Sequence, residues 1–237
     1  MSDPLFEFFN RDRPSVDPES PGWKKIHSKE YPRARKVPLP RPELPEHVTL
    51  RDALKKRKSE RNFSSRPLSQ NDLGALLFWS AGLIHSGEKE NLRRPHPSGG
   101  ARFPIELYAA FLRPEDLDTG VYHYNIREHA LERVQNASAE RIKELAPYDF
   151  IKNAAALLLL TFVGRRTLEK YGSLGYKLGL LEAGHIGQNI SLVASSLGLG
   201  ALSVGSMRDD REVEKELDLE DDESLMYELA VGHPVDK

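Results

Sequence analysis

Residues 174–197 read LGYKLGLLEAGHIGQNISLVASSL, a stretch without proline. As a helix it would be about 36 Å long, at 1.5 Å per residue. Its apolar residues fall on more than one face: Leu174, Leu178, Leu181, Val193 and Leu197 on one, Leu180 and Leu192 beside it, Ile186 and Ile190 elsewhere. A helix apolar on nearly every side is a buried one, so this segment is expected at the centre of the molecule. Small residues recur at every fourth position, at Gly179, Ala183, Gly187, Ser191 and Ser195. That row is a ridge almost without side chains, along which another element can approach the backbone. A mid-helix glycine costs roughly 1 kcal/mol relative to alanine, so something must offset Gly179, Gly184 and Gly187. Close packing does this either within one subunit or against a second copy, and a dimer core is the expectation.

The chain has 237 residues and a formal net charge of -2, so nothing in the global charge points to nucleic acid or an anionic membrane. It contains no cysteine, which excludes disulfides, thiolate nucleophiles and thiolate metal sites and fits a reducing compartment. The longest apolar run, Ala154 to Val163, is too short to span a bilayer. The opening MSDPLFEFFNRDRPS lacks the basic start and apolar core of a signal peptide. The expectation is a soluble, cytoplasmic protein that engages neither membrane nor nucleic acid.

Residues 1–48 are dense in proline, with Pro32, Pro38, Pro40, Pro42 and Pro45 close together, so a regular helix is ruled out there. They could form a disordered tail or an arm laid on the body or on a partner, and Phe6, Phe8, Phe9, Trp23 and Tyr31 among them make a docked arm the expectation. Residues 49–237 are expected as one domain. Thr49-Leu-Arg-Asp52 reads as a capped helix start, and Ser69-Gln-Asn-Asp72 as a second whose helix Gly82 closes. Pro95 to Ala101 is loop, Ile105 to Leu112 a strand, and residues 121–124 and 130–134 flank a polar turn as a hairpin. A short polar helix at 137–145 precedes an interior strand at 155–163. After the long helix come a strand bounded by Gly198 and Gly205, a surface helix at 210–217 and a closing strand at 224–231. Strands scattered singly among unequal helices predict an α+β fold rather than a doubly wound sheet.

Three stretches could carry chemistry. Arg57-Lys-Ser-Glu-Arg61 places three cations and a hydroxyl just past a helix, a set able to grip a phosphate; the same cations also suit a solvated helix C-terminus. Pro97-Ser-Gly-Gly-Ala101 could let its backbone come close to a flat ligand, or be an ordinary turn. Lys170-Tyr171-Gly172, read as a polar loop, offers an adjacent proton donor and acceptor. No GxGxxG, Walker-type or GxSxG motif stands where its mechanism needs it. His123, His129 and His185 lack partners at metal-ligand spacing, so no metal site is expected.

In order and spacing these segments resemble the nitroreductase-like flavoprotein superfamily, most closely its SagB-type (thiazole/oxazole oxidase) dehydrogenase branch. Ile26-His-Ser-Lys29 with the proline arm resembles the branch's leader. Arg57-Lys-Ser-Glu-Arg61-Asn-Phe63 resembles RRSxRxF, and Pro97-Ser-Gly-Gly-Ala-Arg-Phe-Pro104 with Glu106-Leu-Tyr108 resembles PSGGARYPxELY. Gly120-Val-Tyr-His-Tyr124, Lys170-Tyr-Gly172, Glu182-Ala-Gly-His-Ile-Gly-Gln-Asn189, Leu197-Gly-Leu-Gly200 and Ala230-Val-Gly-His-Pro234 complete the match. Lys58 stands where the motif has a second arginine, and Ala101 where many plain nitroreductases have asparagine.

The resemblance implies a nitroreductase-like fold, with a mostly antiparallel sheet flanked by helices and the long helix at a homodimer interface holding two FMN molecules. Arg57, Lys58, Ser59 and Arg61 would hold the phosphate. Pro97, Ser98, Gly99 and Gly100, from the partner subunit, would line the flavin, and Ser203, Val204 and Gly205 would cover the ring near N5. Of the basic residues with which many members close on the phosphate, only His233 and Lys237 are available. The implied reaction dehydrogenates thiazoline or oxazoline rings in a peptide to azoles, with Tyr171 as base, Lys170 as its activator and a cyclodehydratase as possible partner. The alternatives are an NAD(P)H-dependent nitroreductase or quinone reductase, and a non-catalytic scaffold of a biosynthetic complex.

Overall fold

The computed structural model describes residues 7–9, 28–40, 42–86 and 92–235. Phe6, Trp23, Ile26, His27 and Lys237, which entered the sequence reading, lie outside the described residues. Seven strands form one antiparallel sheet: β1 (Lys36–Pro38), β4 (Ile105–Phe111), β5 (Gly120–Asn125), β6 (Ala130–Arg133), β7 (Ala156–Val163), β8 (Gly200–Val204) and β9 (Glu223–Gly232). Their order across the sheet is β1-β6-β5-β4-β7-β9-β8. A separate two-stranded ribbon joins β2 (His85–Ser86) to β3 (Leu92–Arg93). The architecture is α+β and agrees with the expectation.

Strands β4 and β7 are buried at every position because helices cover both faces of the sheet. This is why 154–163 reads as a nearly continuous apolar run, interrupted at Thr161, instead of an alternation. One face packs against α2 (Gln70–Ala81) and α5 (Leu174–Ser196), through Leu76, Leu77, Ile186 and Ile190. The other packs against α3 (Ala139–Glu144) and α6 (Asp210–Glu216), through Ile142, Val213 and Leu217. The predicted caps form: Thr49 and Asp52 make a reciprocal capping box on α1 (Leu50–Lys56), and Ser69 accepts the Asp72 N–H on α2.

The arm expected over residues 1–48 contributes to the body of the fold. Lys36–Pro38 pairs antiparallel with β6 and forms an edge of the sheet, a position at which proline's missing N–H is tolerated.

Two local expectations are corrected. Lys170 and Tyr171 do not lie in a loop but end the helix α4 (Arg165–Tyr171). The RRTLEKY segment has no helix breaker, and Gly172, at φ +55°, returns its N–H to the Leu168 carbonyl at 2.7 Å and stops the helix there. The small-residue row of α5 faces its own subunit. A Cβ on Gly179 would stand 2.6 Å from the Phe162 ring, Gly187 lies under the Tyr227 ring, and Ser195 Oγ donates to the Ala53 carbonyl of α1 at 3.2 Å. Gly184, off that row, has nothing within 4 Å. The open face of α5 instead carries Tyr176, Leu180 and Leu181, with Leu181 52% exposed.

Candidate functional site

Helix α1 ends at Lys56, and the chain then runs extended beside β8. Ser59 pairs in parallel with Ala201, the Glu60 N–H donates to the Ala201 carbonyl at 3.0 Å, and Phe63 pairs with Pro234. Glu60 braces this segment: its carboxylate accepts the N–H groups of Arg61 and Asn62, both at 3.0 Å, and lies 2.7 Å from Lys58 Nζ. Burial opposes its ionisation, but Lys58 and the two N–H groups outweigh it and hold its pKa below the ordinary carboxylate value. A Cβ on Gly200 would stand 2.6 Å from the Glu60 side chain, so glycine lets this contact form. Arg57 and Lys58 line a cavity of about 170 Å³ together with Glu60, Ser191, Ser195 and Gly198, and Ser59 and Arg61 flank it in sequence without lining it.

From Ala201, strand β8 leads directly to Ser203, Val204 and Gly205. Ser203 is exposed and Gly205 has open space around it, whereas Val204 is buried in the layer against α6. The backbone carbonyl of His233 accepts the Ser64 N–H at 2.8 Å. Its ring has Arg66, Asp72, Glu115 and the Pro67 carbonyl as neighbours, away from the cations at 57–61, and burial lowers its pKa.

A second cluster forms around Pro97–Ala101. Gly99 packs on Leu178 of α5, and Gly100, at φ +62°, lies against the Tyr171 hydroxyl and Lys170 Nζ. Lys170 Nζ in turn stands 5.1 Å from the centre of the Tyr171 ring. Ser98 Oγ accepts the Phe103 N–H at 2.8 Å and fixes the turn. Loop and Lys-Tyr pair, separate in sequence, thus meet within one chain.

The two clusters do not meet within one chain. Gly99 touches α5 at Leu178 and the cation cavity touches it at Ser195, which places them about 25 Å apart along the helix axis at 1.5 Å per residue.

Beneath the second cluster lie residues the sequence reading passed over as chemistry. Glu182, 1% exposed, faces Ser98, Arg94 and the Ile105 N–H; burial is the largest effect and pushes its pKa up to about 7. His96 Nδ1 lies 3.9 Å from Glu182 Oε1, and burial beside Arg94 lowers its pKa to about 3, which keeps it neutral. Arg166 of α4 donates to Glu106 Oε1 at 2.5 Å and to the Phe103 carbonyl at 2.9 Å. A glutamate in a helix expected to be buried, and an arginine just after an interior strand, were the available signals. Among the described residues no group of three or more His, Asp or Glu is placed to hold a metal ion, and no helix is long and apolar enough to cross a membrane.

The profile of the Nitroreductase family matches residues 54–233, most of the chain and both clusters. The chain belongs to the nitroreductase family. It is an oxidoreductase of that family, 34% identical over 166 residues to MJ1384 of Methanocaldococcus jannaschii, a nitroreductase by name. That match covers 69% of this chain and 82% of the relative. The Escherichia coli Microcin B17-processing protein McbC is 33% identical over 121 residues, covering 48% of this chain and 44% of McbC. Among solved structures, a Ralstonia eutropha JMP134 protein, again a nitroreductase by name, superposes with TM-score 0.73 at 26% identity, over 89% of this chain and 97% of that one. A chain of the E. coli microcin synthetase McbBCD complex with truncated pro-MccB17 bound superposes with TM-score 0.65, over 97% of this chain and 87% of that one; at 24% identity this likeness is one of fold. The nitroreductase-family fold thus carries two site clusters at the two ends of its long helix.

Proposed function

We propose that this oxidoreductase binds FMN as a homodimer and dehydrogenates azoline rings in a modified peptide to azoles. The observation that carries the reading is the packing of Tyr171 and Lys170 against Gly100. It joins a proton-handling pair to the glycine loop expected to line a flat ring.

The residues at the first cluster suit a flavin phosphate. Arg57, Lys58 and Arg61 offer charge-assisted donors and Ser59 a hydroxyl, while Glu60, turned inward, is engaged by backbone N–H groups. These side chains, rather than helix α1, would hold the phosphate, because α1 presents its negative end there. When bound, FMN supplies the acceptor for the two electrons and one hydrogen leaving the azoline. The other hydrogen leaves the ring carbon as a proton, for which Tyr171, as the phenolate, would be the acceptor, becoming the neutral phenol, with Lys170 the cation that stabilises the phenolate before the transfer. Ser98, Gly99 and Gly100 orient the flat ring, and Ser203 with the backbone at Val204 and Gly205 closes the other side.

The 25 Å between the clusters, again about 1.5 Å per residue, supports the dimer. Two copies of α5 related by a two-fold axis run antiparallel and bring the Pro97–Gly100 end of one to the Arg57–Arg61 end of the other. Tyr176, Leu180 and Leu181 would supply the apolar contact. Likeness to McbC, a Microcin B17-processing protein, supports a peptide substrate, and a cyclodehydratase that forms the azoline is the partner this reading calls for.

MJ1384, matched over 82% of its length, favours a second reading, a nicotinamide-dependent reductase of nitroaromatics or quinones. The absorbance spectrum of the purified protein with FMN, recorded without oxygen before and after NADH or NADPH, separates the two. A flavin that nicotinamide leaves oxidised supports the azoline dehydrogenase, and prompt bleaching supports the reductase. Failure to take up FMN rejects both. Lys170→Ala and Tyr171→Phe should retain FMN and lose azoline turnover; variants that turn over like the parent reject the assignment.

A further inference from the structure

Lys29 and Tyr31 lie on the sheet face opposite α5 and enter a buried polar network there. The Lys29 backbone N–H donates to Glu106 Oε1 at 2.7 Å and its ammonium to Glu223 Oε2 at 2.6 Å. The Tyr31 N–H donates to Glu132 Oε2 at 3.0 Å, and its hydroxyl lies 2.9 Å from that of Tyr108. Glu106 and Glu132 clamp His123 between them, each at 3.0 Å. Glu106, His123, Glu132, Arg166 and Glu223 are each at most 5% exposed. Buried charges persist only when paired. Three carboxylates face Lys29, Arg166 and His123, whose pKa the two carboxylates raise against the effect of burial.

The network ends at the second cluster. Arg166 lies four residues before Lys170 on α4, and its guanidinium bridges Glu106 to the Phe103 carbonyl. The Phe103 N–H holds Ser98 Oγ, and Arg102 Nε donates to the Arg166 carbonyl. One arginine therefore ties the helix that carries Lys170 and Tyr171 to the loop that carries Gly100.

We propose that Arg166 is a positioning residue for this site, and that the Lys29–Tyr31 segment is a strap that holds it through Glu106. The catalytic consequence rests on the roles proposed above for Lys170 and Tyr171; the structural one does not. Lysine cannot reproduce the guanidinium fork that reaches Glu106 and Phe103 together. Lys29→Met removes the ammonium from Glu223, and Tyr31→Phe deletes a single hydroxyl.

Hydrogen exchange of the full chain with FMN, read at residues 98–103 and 166–172, tests the proposal alongside urea unfolding and azoline turnover. In Arg166→Lys and Lys29→Met, exchange in these two segments should rise by about tenfold or more while the sheet stays protected. Turnover should fall by about tenfold, with KM within about twofold and FMN affinity unchanged. Lys215→Met, which breaks only an exposed pair with Glu212, should change none of these. If Lys29→Met does not fold, Tyr31→Phe gives the same reading with a smaller effect. Exchange equal to the parent's in both segments, or raised everywhere in step with lower global stability, overturns the proposal. A Tyr171→Phe enzyme of normal activity would reject the catalytic roles and leave the exchange result standing.

Discussion

Gly100 and Tyr171 pack so closely that a Cβ on the glycine would run into the tyrosine hydroxyl. Seventy residues of sequence separate the loop from the end of α4, yet neither side can change without moving the other. Gly100 also has φ +62°, where an L side chain costs about 1–2 kcal/mol. Gly100→Ala is therefore expected to fold with a lower urea midpoint, and to lose turnover more than stability because Tyr171 must move aside.

Arg57 and Arg61 should act on the phosphate of the flavin and not on its ring. A charge-assisted hydrogen bond contributes about 1.5–3 kcal/mol, so Arg61→Ala is expected to weaken FMN binding by about tenfold or more. Riboflavin, which lacks the phosphate, should bind parent and variant alike. Fluorescence titration with both flavins checks this; an equal loss for the two places Arg61 elsewhere.

Two glycines of α5 should respond in opposite directions. At Gly179 an added methyl would stand 2.6 Å from the Phe162 ring. Overpacking of this kind costs about 1–3 kcal/mol, so Gly179→Ala should lower the unfolding midpoint. Gly184 has nothing within 4 Å in its own subunit, and alanine there gains up to about 1 kcal/mol of helix propensity. If the open face of α5 is the dimer interface, Leu181→Asp should yield monomers by light scattering and reduce FMN uptake with them.

Glu228, on β9 and 3% exposed, makes stability depend on pH. Burial, with Asp210 adding to it, raises its pKa from the ordinary 4.5 to about 8. The unfolded chain ionises this carboxyl first, so the contribution of Glu228 is fully present below pH 4.5 and declines as pH rises toward about 8. Glu228→Gln, neutral at every pH, should match the parent at pH 4.5 and exceed it at pH 8 in urea unfolding. Equal stability at both pH values would show that the carboxyl ionises normally.

The elements were legible because their signals are local. Thr49 with Asp52, and Ser69 with Asp72, sit within one turn of each other and satisfy free N–H groups in any tertiary setting. The nearly continuous apolar run at 154–163 could only be an interior strand, and the isolated strands among unequal helices implied α+β. Lys170 and Tyr171 stand out as a pair in the sequence but read as loop, since a seven-residue helix such as α4 is too short to be stable without packing.

Local patterns along the chain thus specify the elements and the candidate motifs: the caps, the strands, the long helix, the cations at 57–61, the loop at 97–101 and the Lys-Tyr pair. Which surfaces meet depends on the packed fold. A period of 3.6 residues says which side chains share a face of α5 and not what covers that face, so the small-residue row turned out to lie on Phe162 and Tyr227 of the same subunit. Nor does any local pattern join Lys29 to Glu106 across 77 residues, or Arg166 to Phe103 across 63. Those pairings exist because the folded sheet excludes water from the charges, and a buried charge is retained only where the fold brings its partner to it.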